Sequence, residues 1–342
     1  MNLSLLEAVV SELVAPGKGM LAADESGGTI EKRFQDIGVT STDASRRAYR
    51  EMLFTTQGLN AFISGVILFD ETIRQSATDG TPFAELIKRQ GMIPGIKVDA
   101  GAKPMAGFPE EKITEGLDRL RTRLAEYAQL GARFTKWRAV LGVGEQLPTQ
   151  TCIGANCQAL ARFAALSQEA GLVPIVEPEV LMDGVHTIAR HYEATQTTLR
   201  TLFQELAAHR VHLEGLLLKV NMVLSGTTCP QQATVLEAAH ATCRCMRRTV
   251  PAAVQGIVFL SGGQSDVRAT EHLDALNRIG DTPWEVSFSF GRALQAPALK
   301  AWSGVTANAP AAQHALLHRA ECNSAARFGR YTVGMEKEAK AV

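Results

Sequence analysis

The sequence predicts an α/β fold closed into an eight-stranded (β/α)8 TIM barrel, and three observations carry that reading. Eight short apolar runs recur along the chain, each turning polar only at its C-terminal end. Amphipathic segments with helical spacing separate the runs, and alternation of strand and helix builds a parallel sheet. The polar landmarks keep a steady interval: Lys97 to Lys136 is 39 residues, Lys136 to Glu177 is 41, Glu177 to Lys219 is 42, and Lys219 to Ser261 is 42. Eight such units fit a closed barrel. An open doubly wound sheet would want a glycine-rich phosphate fingerprint after its first strand, and Ser26-Gly-Gly-Thr29 is not one.

Residues 1–16 read as an amphipathic lead helix closed by Pro16. Its glutamates and the lack of a basic lead-in argue against a signal peptide. The barrel core is expected over 17–294. Its strands are Met20–Ala23, ending on Asp24, then Phe62–Asp70, Met92–Asp99, Arg133–Leu141, Leu172–Val180, Leu213–Asn221, Gly256–Gly262 and Trp284–Arg292. Helical spacing marks Pro109–Leu130, Asn156–Gly171, His186–Arg210 and Gln231–Thr249. A C-terminal helical part, 295–326, precedes a tail, 327–342, where apolar periodicity lapses and mobility is expected. No linker or composition break interrupts the 342 residues, so a single domain is expected.

Composition excludes several classes of function. Thirty-five basic residues balance 35 acidic ones, which leaves no surplus to attract nucleic acid or an anionic membrane. No apolar run approaches the roughly 18 residues of a membrane span, and a cytoplasmic location is the default. Six cysteines, Cys152, Cys157, Cys229, Cys243, Cys245 and Cys322, form no CxxC pair and meet no histidine at finger spacing. They are expected to be reduced and structural, with no metal and no cofactor.

In such a barrel the C-terminal strand ends converge on one mouth. Read in order they are Asp24, Asp70, Lys97, Lys136 with Arg138, Glu177 with Glu179, Lys219, Ser261 and Arg292. For one residue, a polar strand end means only that solvent begins there. A whole set of lysines, arginines and carboxylates packs like charges together, as a merely solvated rim would not. Period-2 alternation sets Lys136 and Arg138 on one face of their strand, and Glu177 and Glu179 on one face of theirs.

Lys219 is delivered by an apolar run, Leu213-Glu-Gly-Leu-Leu-Leu-Lys-Val-Asn-Met222. Apolar surroundings would favour the neutral amine, the form that adds to a ketone to make a Schiff base, and Lys136 near Lys219 would push one of the two lysines toward neutrality. Ser261-Gly-Gly-Gln264 and Ser289-Phe-Gly-Arg292 are small-residue turns after the seventh and eighth strands, where barrels commonly hold phosphate.

These residues stand in longer blocks. Gly17-Lys-Gly-Met-Leu-Ala-Ala-Asp-Glu-Ser26, Ile63-Ser-Gly-Val-Ile-Leu-Phe69, Gly95-Ile-Lys-Val-Asp99, Lys136-Trp-Arg138, Ile175-Val-Glu-Pro-Glu179, Leu218-Lys-Val-Asn-Met222, Phe259-Leu-Ser-Gly-Gly-Gln264 and Phe288-Ser-Phe-Gly-Arg-Ala-Leu-Gln295 follow one another across roughly residues 15–332. In content and order they resemble the signature blocks of the class I (Schiff-base) fructose-bisphosphate aldolases. The resemblance implies Lys219 as the Schiff-base lysine and Glu177 as the proton-transfer group, with Asp24, Lys136 and Glu179 as supporting charges. It implies Lys97 and Arg138 as substrate contacts. Ser261, Gly262, Ser289, Gly291 and Arg292 would hold the phosphate nearest the ketone, while Ser26 and Thr29 fall where the family's other phosphate site has serines. Phosphorylated ketoses and triose phosphates are the implied substrates, and a homo-oligomer, often a tetramer, the implied assembly.

The sequence departs from the family pattern at Val220 for proline, Ala100 for lysine, Phe290 for tyrosine and Thr29 for serine. These leave the reaction class intact and bear on affinity and sugar preference. Many family members end in a tyrosine that helps move the enamine proton. Nothing aromatic follows Tyr331 here, so that proton is expected to pass through groups inside the barrel or water. Two other readings stay open at this point: another Schiff-base barrel, such as a transaldolase or deoxysugar-phosphate aldolase, which needs only one phosphate site, and a non-catalytic binding protein on the same fold.

Overall fold

The computed structural model describes residues 2–338. Eight parallel strands close into a barrel: β1 (Gly19–Ala23), β2 (Ile63–Leu68), β3 (Ile93–Lys97), β4 (Phe134–Leu141), β5 (Val173–Val180), β6 (Leu217–Val220), β7 (Gly256–Phe259) and β8 (Glu285–Phe290). Closure is made where Met20 of β1 pairs with Ser289 of β8. Among the described residues no helix is long and apolar enough to cross a membrane.

The lead helix, Leu3–Leu13, plugs the floor of the barrel. Asn2 caps it by accepting the Leu5 amide at 3.2 Å. Its buried stripe of Leu6, Val9, Val10 and Leu13, extended by Val14, packs on inward-facing Met20, Ile67, Phe134, Ile175, Leu217 and Val258. Glycines early in the strands make room for this plug. A Cβ on Gly65 would come within 2.7 Å of the Leu13 side chain, and one on Gly256 within 2.6 Å of Val14. Each large side chain buried here stabilises the fold by roughly 1.5–3 kcal/mol. With the floor filled by hydrocarbon, the charged strand ends belong to the opposite mouth.

Several expected boundaries move. Leu213–Gly215 forms a 3-10 turn, so β6 is only the four residues before Asn221. Pro109–Leu130 is not one helix. Lys112–Thr114 pairs antiparallel with Ala102–Pro104, and the helix starts only at Leu120. Gly116 at φ +127° breaks the run, because a Cβ there would lie 2.7 Å from the Ala100 amide. Asp70 opens a short helical turn, where it pairs with Arg74 at 2.9 Å and accepts the Tyr127 hydroxyl at 2.8 Å, away from the charge cluster described below.

Arg327, where the tail was expected to begin, is the buried last residue of the helix Ala309–Arg327. It donates to the carbonyls of Val14 and Lys18 and pairs with Glu285. Tyr331 is buried as well, with its amide on Asp274 at 2.9 Å. The remainder of that tail, 339–342, lies outside the described residues.

One buried histidine ties two mouth loops together. His191 Nδ1 accepts the Leu224 amide at 3.0 Å, so its proton sits on Nε2, which donates to the Val180 carbonyl at 3.2 Å. Burial and the stacked His186 ring push its pKa down from 6.5 to about 4. A folded-state value below the unfolded one means that this stabilisation is complete above pH 6.5 and is lost as pH falls toward 4. Thermal melts should therefore show a loss on the order of 2 kcal/mol from this group by about pH 5, and His191→Asn should flatten the acid limb. An acid limb of equal slope in parent and variant would contradict the assignment.

Candidate active site

The mouth is built by strand register. Lys97 is level with Lys136, Arg138 with Glu177, and Val140 with Glu179. Parallel pairing therefore lays alternate side chains of β3, β4 and β5 on the inner face at nearly one height. Lys219 enters from β6, and Asp24 follows the last residue of β1.

These residues form one chain of charges. Lys136 Nζ donates to Asp24 Oδ2 at 2.8 Å and lies 2.7 Å from Glu177 Oε2, where the approach is off-axis, an ion pair more than an aligned hydrogen bond. Lys219 Nζ stands 3.4 Å from the other oxygen of Glu177. Lys136, Glu177 and Lys219 are all buried. Beside them Arg138 Nε pairs with buried Glu179. Lys97 Nζ pairs with Asp99 Oδ1 at 2.6 Å.

The two lysines titrate in opposite directions. Burial disfavours the ammonium form of each. At Lys219 burial prevails: together with the Lys136 charge it outweighs Glu177 and Asp24, and the pKa drops below 10.5. At Lys136 burial is overcome by Asp24, Glu177 and Asp99, and the pKa rises well above 10.5. Burial also opposes the charged forms of Asp24 and Glu177, yet the lysines around them hold both carboxyls below their usual range.

The turns after β7 and β8 meet. Arg292 Nη2 donates to the Gly262 carbonyl at 2.7 Å, with Gly262 at φ +55°. Gly291 caps the helix Arg292–Trp302, and a Cβ there would press to 3.3 Å from the Ala22 carbonyl. Ser261 and Ser289 are buried, and the Ser289 hydroxyl has no hydrogen-bond partner among the described residues. The Gly263 amide donates to Met182 Sδ at 3.2 Å, a weak acceptor that an anion would displace. Ser26 and Thr29 share a hydroxyl contact of 3.1 Å at the N-terminus of the helix Gly27–Gln35.

Two features lay beyond the sequence reading. Asp99 organises β3 and β4: Oδ1 takes Lys97 and the Gly101 amide at 3.1 Å, while Oδ2 takes the Arg138 amide at 3.1 Å. Its place two residues after Lys97 was a usable signal. Glu25 is gripped by Arg50 at 2.6 Å, by Arg33, and by Gln295 Nε2 at 2.8 Å. That network fixes the turn carrying Asp24, and no local pattern announces it.

The family model for fructose-bisphosphate aldolase class-I matches residues 5–342. The chain belongs to the class I fructose-bisphosphate aldolase family. A probable class 1 fructose-bisphosphate aldolase of Xanthomonas campestris is 54% identical over 332 residues, covering 97% of this chain and 99% of that protein. A cytosolic fructose-bisphosphate aldolase of Arabidopsis thaliana is 51% identical, covering 96% and 92%. Among solved structures, fructose-bisphosphate aldolase from Plasmodium falciparum, in complex with TRAP and a small-molecule inhibitor, superposes with a TM-score of 0.95 at 46% identity, covering 96% of this chain and 95% of that one. This class I aldolase is thus a metal-independent glycolytic lyase. It cleaves fructose 1,6-bisphosphate reversibly to dihydroxyacetone phosphate and glyceraldehyde 3-phosphate through a lysine Schiff base.

Removing the Lys136 charge should raise the pKa of Lys219, because the like charge that helps depress it is gone and only burial then opposes Glu177 and Asp24. In Lys136→Met the pH profile of imine formation with dihydroxyacetone phosphate, quenched with borohydride, should shift upward by about one unit or more. An unchanged or lowered midpoint would show that Lys136 does not set the state of Lys219.

Proposed function

We propose that Lys219 is the Schiff-base lysine of this aldolase and Glu177 its proton-transfer group, with Asp24, Lys136 and Glu179 holding their charge states. The observation carrying this reading is the placement of buried Glu177 between two buried lysines, with Lys219 Nζ 3.4 Å from one carboxylate oxygen and Lys136 Nζ 2.7 Å from the other. Lys219 is biased toward the neutral nucleophile and Lys136 toward the permanent cation.

The steps follow from that bias. The Lys219 amine adds to the C2 ketone, and loss of water gives an iminium that acts as electron sink. Glu177, 3.4 Å from Nζ, is near enough to exchange protons as the carbinolamine collapses. The same carboxylate takes the C4 hydroxyl proton, the C3–C4 bond breaks, and glyceraldehyde 3-phosphate leaves. The enamine is protonated at C3, and hydrolysis frees dihydroxyacetone phosphate and the lysine. Through each step Lys136 remains an ammonium, so Glu177 is never an isolated buried anion.

Ser261, Gly262, Ser289, Gly291 and Arg292 bind the phosphate nearest the ketone, which fixes C2 over Lys219. The unpartnered Ser289 hydroxyl, the weakly engaged Gly263 amide and the backbone-parked Arg292 support this assignment. Ser26 and Thr29, with Lys97 and Arg138, receive the second phosphate. A cytoplasmic location and a homo-oligomer, a tetramer by family resemblance, belong to the same proposal.

Borohydride reduction in the presence of dihydroxyacetone phosphate, followed by peptide mass mapping, should place a stable adduct on Lys219, and Lys219→Met should abolish cleavage while keeping the fold. An adduct on Lys136 instead, or near-normal turnover in the variant, would sink the assignment. Arg292→Ala should raise KM and lower kcat/KM by about 2 kcal/mol, the size of a charge-assisted contact. Kinetics equal to the parent would move the phosphate elsewhere.

A further inference from the structure

Away from the mouth, His318, Cys322 and Glu336 form a cluster beneath the C-terminal segment. Among the described residues it is the one group of three such side chains whose ligand atoms all lie within 4.8 Å of one another. His318 and Cys322 sit one turn apart on the helix Ala309–Arg327 and share a face. The His318 Nε2 to Cys322 Sγ distance is 3.6 Å. Tetrahedral zinc, with Zn–S about 2.3 Å and Zn–N about 2.1 Å, separates its sulfur and nitrogen ligands by about 3.6 Å. That edge of a metal site is already set.

Glu336 arrives pre-oriented. Arg319 Nη1 and the Tyr331 hydroxyl, the latter at 2.7 Å, both bond Oε1, so neither uses Oε2. Hydrogen bonds of this kind onto a ligating carboxylate are how metal sites aim their ligands. Cys322 is buried, and His318 and Glu336 are half-buried.

We propose that His318 Nε2, Cys322 Sγ and a Glu336 oxygen bind a structural zinc ion, with water as the fourth ligand. One thiolate, one imidazole and one carboxylate suit a borderline-soft divalent cation and not the harder magnesium or calcium. Binding releases the thiol proton to solvent. The ion joins the turn Met335–Glu338 to the helix Ala309–Arg327 and so fastens the C-terminal segment to the barrel's outer layer. Cysteine spacing could not reveal it, because the third ligand comes from tertiary contact. The site lies outside the charge cluster of the mouth and leaves the metal-independent chemistry there untouched.

The test uses the full chain, dialysed against chelator and titrated with Co2+. A near-ultraviolet thiolate-to-cobalt band should saturate at about one ion per chain and disappear on adding Zn2+. Cys322→Ser should abolish the band, and His318→Gln and Glu336→Gln should each weaken cobalt binding at least about tenfold. Zn2+ should raise the Tm of the parent but not of Cys322→Ser, with cleavage activity the same before and after loading. Should Cys322→Ser fail to fold, His318→Gln at its half-buried position carries the same test. Absence of the band, or a band that survives His318→Gln and Glu336→Gln unchanged, would reduce the cluster to a thiol–imidazole hydrogen bond and overturn the proposal.

Discussion

Glu177 lies between two buried ammonium-capable groups, and the organisation of the mouth depends on that placement. An ionised carboxylate out of water is costly unless it is paired, and a buried lysine is equally costly as a cation. Here one carboxylate faces two lysines while a second carboxylate, Asp24, engages only Lys136 directly. The asymmetry decides which lysine keeps its proton. Lys136 has two close anions and Lys219 has one at longer range, so burial prevails only at Lys219.

The rest of the fold holds that asymmetry in place. The plugged floor forces polarity to the other end of the barrel, and register levels Arg138 with Glu177 across β4 and β5. The Glu25 network, which reaches Gln295 after β8 and Arg50 on the helix Asp43–Phe54, locks the turn presenting Asp24. Asp99 does the same for Lys97 and for the backbone at Arg138. Neither Glu25 nor Asp99 touches Lys219. Glu25 holds the turn that presents Asp24, and Asp99 adds to the negative charge that keeps Lys136 protonated, so a shift of either would change the lysine's surroundings.

Much of this was legible in the sequence because strand periodicity is rigid. Lys136 with Arg138, and Glu177 with Glu179, had to share faces once their runs were read as strands, and the spacing of landmarks from Lys97 to Ser261 required a repeating βα unit. What escaped notice depends on contact between distant segments. The grip of Arg33, Arg50 and Gln295 on Glu25 joins separated parts of the chain. The His318, Cys322 and Glu336 cluster needs the C-terminal segment to fold back. Residues 109–119 misled because apolar spacing alone mimics a helix, and only the positive φ at Gly116 and the hairpin partner at Ala102–Pro104 expose the difference.

The central claim is that, before any substrate arrives, Lys219 is the more readily deprotonated of the two lysines beside Glu177. Competitive labelling with trace acetic anhydride across a pH series, read at each lysine by peptide mass analysis, measures this without relying on turnover. Lys219 should acquire label with a midpoint below 10.5, while Lys136 stays unlabelled to the highest pH at which the protein remains folded. Earlier labelling at Lys136, or a Lys219 midpoint at or above 10.5, would contradict the account.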